Sequence, residues 1–221
     1  MLTALVLALS LVAATAPGAA QSSAAEEMLV VSLDEDGSAR VSLRLTYDLS
    51  DDDRRAAFES LRGDATARER RARAFGDRMR GVAAAIAAET GRSTRVGNVS
   101  IDLRTVDRTG VVELTATVDG FAAASGDRVR VRAPFASGFV TDRPLVLAAP
   151  DGFERTTVTP APDASEDGRL RWDANRDLSG FEATFESADG GSDARAPGVG
   201  AVGALAALVA VGALAARRGR R

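Results

Sequence analysis

Between residues 28 and 187 the chain alternates hydrophobic and polar positions in short runs. MLVVSL at 28–33 is apolar, DEDGS follows, and ARVSLRLTYDL then alternates strictly. Val41, Leu43, Leu45 and Tyr47 fall on one side of an extended chain, and Ser42, Arg44, Thr46 and Asp48 on the other. Two such runs joined through Gly37 predict a hairpin. The period then lengthens. Ser50 reads as the cap of a helix reaching about Arg62, with Asp51, Asp52 and Asp53 in a first turn where negative charge meets free N–H groups. Phe58 and Leu61 share a face of that helix, and Gly63 and Asp64 break it. A longer helix is predicted over 66–90, ended by Gly91. Its Phe75, Met79, Val82 and Ile86 recur at helical spacing and form one core-facing stripe.

Beyond residue 90 the period returns to two. VGNVSIDLRTV, GVVELTATVDGF, DRVRVRAPF, PLVLAAPDGF, ERTTVTP, GRLRWDA and GFEATFE are short alternating or apolar runs separated by Gly, Pro, Asp and Ser. Seven or more strands with closely spaced turn signals predict an antiparallel β-sandwich-like domain over 26–187, with the amphipathic helical pair near 50–62 and 66–90 inserted on one face. The fold class is α+β, with one C-terminal transmembrane helix added by the tail described next.

Both ends carry a different pattern. Residues 2–14 are apolar apart from Thr3 and Ser10, and small residues follow. Gly18 and Ala20 occupy the −3 and −1 positions of a cleavage site, so 1–20 reads as a signal peptide. The run is short for a spanning helix, which takes about 20 residues. At the other end, 188–197 is a polar Gly/Ser/Asp stalk, and 198–216 is uncharged and just long enough to cross a bilayer. Arg217, Arg218, Arg220 and Arg221 follow as a cationic topology stop on the cytoplasmic side.

Composition narrows the chemistry. The 221 residues include no Cys, no His and no Lys, so all 28 basic residues are Arg. Disulfides, thiol nucleophiles, Ser-His-Asp triads and zinc-histidine sites are excluded. Without the four tail Arg residues, 24 Arg face 31 acids, a balance of −7. Such an Arg-, Asp- and Ala-rich surface is like those of proteins from high-salt archaea, where carboxylates hold water and salt screens their repulsion. Asp34, Glu35 and Asp36 lack the twelve-residue calcium-loop pattern and read as an acidic turn. ARERRARAFGDRMR sits where 51–80 holds nine Arg and seven acids, so it reads as a salt-bridged, solvated helix face. No cofactor, metal or nucleic-acid partner is expected. Tyr47 and Trp172 read as core aromatics, and Asn98-Val99-Ser100 makes Asn98 the candidate glycosylation site.

Two resemblances sharpen this. The order of signal, ectodomain, stalk, Pro197-Gly198, apolar segment and Arg cluster resembles the PGF-CTERM class of archaeal surface proteins. That resemblance implies an archaeosortase-like partner that cuts the tail and joins the new C-terminus to a membrane lipid, with Pro197, Gly198 and Val199 as the tail-processing residues. Val199 stands where the class has Phe, and an ordinary single-pass anchor stays open beside it. DGSARVSLRLTYDL, a helix ending TGR, GVVELTATVDGFA, LVLAAPDGF and RLRWDA are similar to an uncharacterised haloarchaeal extracellular domain. That domain also occurs ahead of membrane-anchored helix-turn-helix proteins, and no function comes with it. The expected role is therefore a non-catalytic binding or structural module on the cell surface. It would be attached to the lipid bilayer, with a surface protein or glycan as partner. The alternative is a carboxylate-based hydrolase such as a glycosidase, which needs two acids held about 5–10 Å apart.

Overall fold

The computed structural model describes residues 26–136 and 142–188. The first alternating runs become β1 (Met28–Leu33) and β2 (Ala39–Asp48), an antiparallel pair in register from Met28 opposite Arg44 to Leu33 opposite Ala39. Gly37 takes φ +82° in their turn, and a Cβ there would lie 2.6 Å from the Ala122 carbonyl oxygen. Two helices follow, α1 (Asp52–Gly63) and α2 (Ala65–Thr90). The cap of α1 is Asp51, whose carboxylate accepts from the Arg54 N–H at 2.9 Å. Ser50 instead donates its N–H to Asp48 Oδ1 at 2.9 Å, one step outside the helix. The reading of Ser50 as cap was off by one because either oxygen-bearing side chain serves, and the turn geometry chose Asp51. Asp64 both closes α1 and caps α2, accepting from the Ala67 N–H at 2.9 Å, and Gly91 closes α2 in the left-handed region.

The remaining strands are β3 (Arg95–Val106), β4 (Thr109–Asp119), β5 (Ala123–Ser125), β6 (Arg128–Val131), β7 (Leu145–Ala148), β8 (Phe153–Thr159), β9 (Ala164–Glu166), β10 (Arg169–Trp172) and β11 (Glu182–Ser187). They complete two sheets among the described residues. One runs β3-β4-β2-β1-β7-β10-β9, and the other β5-β6-β11-β8. The protein is thus a mixed α+β fold with large, mainly antiparallel sheets and two helices. One pair departs from the antiparallel expectation: β1 and β7 run parallel, Leu29 opposite Leu145.

The helices connect β2 to β3, which flank β4 on either side, so the crossover lays them over that part of the larger sheet. Phe58 and Leu61 of α1 pack with Val112, while α2 places Phe75, Met79, Ala83 and Ile86 in the main core. Val82 is only half-buried, and Ala83 takes the deeper position. That same core takes Val31, Leu33, Val41 and Leu43 from the larger sheet and Val129, Val131, Ala183 and Phe185 from the smaller one. Trp172 is fully buried within it, its Nε1–H donating to the Pro160 carbonyl at 3.1 Å. In β2 strict alternation fails at Ser42. Ser42 faces away from the main core yet is buried, and its Oγ lies 3.2 Å from Thr115 Oγ1 across the β2–β4 pair.

Candidate functional site

The larger sheet presents one apolar face to two different covers. α2 packs chiefly on β3 and β4, and the smaller sheet contributes to the same core. Between them a strip of β1 and β2 is left under a gap. The gap is a cleft of about 320 Å³ floored by Leu29, Val31, Val41 and Leu43. Phe75, Met79 and Val82 of α2 form one wall, and Phe121, Pro134 and Phe135 form another. Its volume lies at the small end of ligand pockets, about 300–1,000 Å³.

The aromatic wall is stiffened from behind. Phe121 and Phe135 meet at 6.2 Å between ring centroids, Phe135 reaches Phe181 at 5.0 Å, and Phe181 reaches Trp172 at 5.2 Å. Edge-on and tilted contacts of this kind add to area burial and hold ring orientation. Arg92 fixes the near end of the wall. Its Nε–H donates to the Gly120 carbonyl at 3.1 Å and its Nη2–H to the Phe121 carbonyl at 2.9 Å. Burial, and after it the neighbouring Arg130, holds the Arg92 pKa below its ordinary value.

Among the described residues the charged part of the lining is Arg78, Asp142 and Arg143. Arg143 donates from Nη2 to Asp142 Oδ2 at 3.1 Å. Arg78 is exposed on α2 and makes no ion pair or hydrogen bond with any described residue. Asp142 is the one acid among the described residues that line the cleft. Elsewhere, hydrogen bonds to the charged form hold the carboxyl pKa values of Glu26, Asp36, Asp48 and Asp177 below their ordinary values. Those environments suit anions, not general acids. Among the described residues no group of His, Cys, Asp or Glu could hold a metal ion.

Residues 30–153 match a family described as a domain of unknown function, DUF7345. The match covers more than half of the chain. The chain belongs to the DUF7345 family. No curated protein matches the chain. The DUF7345 stretch contains every residue that lines the cleft except Leu29.

Asn98 also lies in the DUF7345 stretch. It is exposed on β3, at φ +50°, where the pairing with β4 shifts register between Gly97 and Ser100. Asn tolerates this conformation better than most residues. Pro197, Gly198, Val199, Arg217, Arg218, Arg220 and Arg221 lie outside the described residues. No helix among the described residues is long and apolar enough to cross a membrane. The Arg-rich face of α2 carries exposed pairs, Arg73 with Glu69 at 3.8 Å, Arg70 with Asp64 at 4.0 Å, and Arg80 with Asp77. Sequence reasoning placed Phe75, Met79 and Val82 on one stripe but missed the cleft they border. Arg78 is the residue a closer reading could have found, as the one basic position embedded in that stripe.

Proposed function

We propose that the protein is a non-catalytic binding module displayed on the outer side of a cell membrane in a halophilic archaeon. The observation that carries the binding role is the apolar cleft, walled by α2 and two phenylalanines and bordered by Arg78 and Arg143. Its rigid aromatic back favours holding a ligand over breaking a bond. We read the two sheets as a sandwich-like pair, supported by the core cluster that takes side chains from both. Display outside the cell rests on the sequence: the signal peptide in 1–20, the uncharged segment 198–216, and the stop at Arg217, Arg218, Arg220 and Arg221. Asn98, exposed at the β3 bulge, is the site a surface glycan would take.

The tail reading is tested by expressing the full chain with a C-terminal tag in an archaeal host and weighing the membrane-bound protein intact. A permanent anchor keeps the tag. A processed tail loses it and gains a lipid near Pro197, faster in Val199→Phe and not at all in Pro197→Ala. Leu208→Arg puts a charge in the apolar segment at a cost of about 2.5–3.5 kcal/mol and releases the protein under either route. A Leu208→Arg protein that stays on the membrane would overturn attachment by the tail.

A further inference from the structure

Away from the cleft, a second concavity opens between the end of α2 and the smaller sheet. It encloses about 390 Å³ and is lined, among the described residues, by Glu89, Thr90, Arg92, Ala123, Arg130 and Arg132. It shares no described residue with the cleft. The outer face of β6 supplies two of its guanidinium groups. Along that face Arg128 donates from Nε to Glu186 at 2.8 Å, and Arg132 lies 3.5 Å from Glu182, both acids belonging to the neighbouring β11. Arg130 stands between these pairs. Opposite it are Thr184 on β11 and Ala123 on β5, so the ladder sets no acid against it. Its exposed side chain makes no ion pair or hydrogen bond with any described residue. Arg92 reaches the same space from the loop after α2. It is half-buried, and it commits its Nε–H and an Nη2–H to the Gly120 and Phe121 carbonyls, which carry no charge. A guanidinium has five N–H donors, so others remain for a ligand. Burial and the charge of Arg130 both disfavour the charged form of Arg92, and a bound anion would relieve this.

We propose that this pocket takes a tetrahedral oxyanion, a phosphate or sulfate group, held between Arg92 and Arg130 with Arg132 beside them. The site does not rest on the cleft. Planar guanidinium forks bind oxyanions with paired, charge-assisted hydrogen bonds. The two forks come from different elements, a loop and a strand. A tetrahedral group has oxygens for both, whereas a carboxylate has two oxygens in one plane. Glu89 borders the pocket from the last turn of α2 and repels an anion, which places the group on the β6 side.

The probe is radiolabelled inorganic phosphate, dialysed to equilibrium against the full chain in uncharged dodecyl maltoside micelles. In KCl at about 1 M, long-range attraction reaches only about 3 Å and chloride competes throughout, so saturable uptake reports direct contact. The wild-type chain should show such uptake. Arg130→Ala, at an exposed strand position, should weaken it about tenfold or more, as loss of charge-assisted hydrogen bonds does. Arg130→Lys should recover only part, because an ammonium lacks the planar fork. Arg108→Ala removes the same charge between β3 and β4 and should bind as the wild type does. Absence of saturable uptake by the wild type would overturn the proposal, as would undiminished uptake by Arg130→Ala. Equal weakening by Arg130→Ala and Arg108→Ala, with Tm unchanged, would also overturn it, since net charge alone would then be at work. Competition by phenyl phosphate and phenyl sulfate separates the sources. Displacement by either as strong as by phosphate supports a group carried on a larger molecule, and displacement by phosphate alone supports the free ion.

Discussion

At the scale of single residues, close approach explains more than propensity does. Gly110 of β4 lies under the ring of Phe58, and a Cβ there would sit 2.7 Å from Phe58 Cδ2. Phe58 is fully buried and has no room to withdraw. Gly110→Ala should therefore cost about 1–3 kcal/mol, the usual range for overpacking. Denaturant melts check it, and the cost should shrink in a Phe58→Leu background, since the two positions are in contact. Glu26 supplies a second residue-scale test. Arg171 donates to both its oxygens, at 2.8 and 2.7 Å, and this holds its pKa below the ordinary 4.5. A carboxylate with a lowered folded pKa contributes stability that is present above about pH 4.5 and lost as pH falls through the lowered value. The pair is partly exposed, so its contribution stays within about 1 kcal/mol. Glu26→Gln should flatten the loss of Tm between pH 5 and pH 3. Parallel acid curves for the two proteins would dismiss the pair as a contributor.

At the scale of elements, α2 is held by its apolar side. Ile86 is fully buried in the main core. Ile86→Ala should cost about 2–5 kcal/mol in chemical denaturation. Arg70→Ala, at an exposed pair spanning 4.0 Å, should cost less than about 0.5 kcal/mol. The reverse order would mean that the helix faces are misassigned. Helix spacing alone made Phe75, Met79 and Ile86 legible as core, because periodicity reports which side of a helix is apolar. It did not reveal that Val82 sits at the lip of a cleft while Ala83 goes deeper. That choice depends on where α2 crosses the sheet. The short strands β5 and β9, three residues each, carry too little pattern to be read in advance.

At the scale of the whole molecule, charge is the quantity to test. The chain has a formal net charge of −3, and of −7 without the four tail Arg residues. Self-repulsion of this kind reaches about 10 Å at 0.1 M salt and about 3 Å at 1 M. The Tm of the full chain should rise between 0.1 and 3 M KCl. A flat or falling curve would show that exposed pairs such as Arg73 with Glu69, which salt weakens, outweigh the excess of acids.

The sequence by itself determined what depends on neighbours along the chain. The β1–β2 hairpin, the helix breaks at Gly63-Asp64 and Gly91, and the absence of His and Cys chemistry all follow from local period, turn residues and composition. Only the tertiary structure decided what depends on strand order and crossing. It set β1 parallel to β7, joined Glu26 to Arg171, and buried Ser42 against Thr115 on the polar side of its strand. It also assembled the cleft from residues between Leu29 and Arg143. Contacts between positions so far apart leave no periodic trace, because each side chain satisfies its own strand or helix pattern equally well in many arrangements. The arrangement is chosen by how the helical crossover and the smaller sheet share one apolar face, and the gap they leave on it is the cleft.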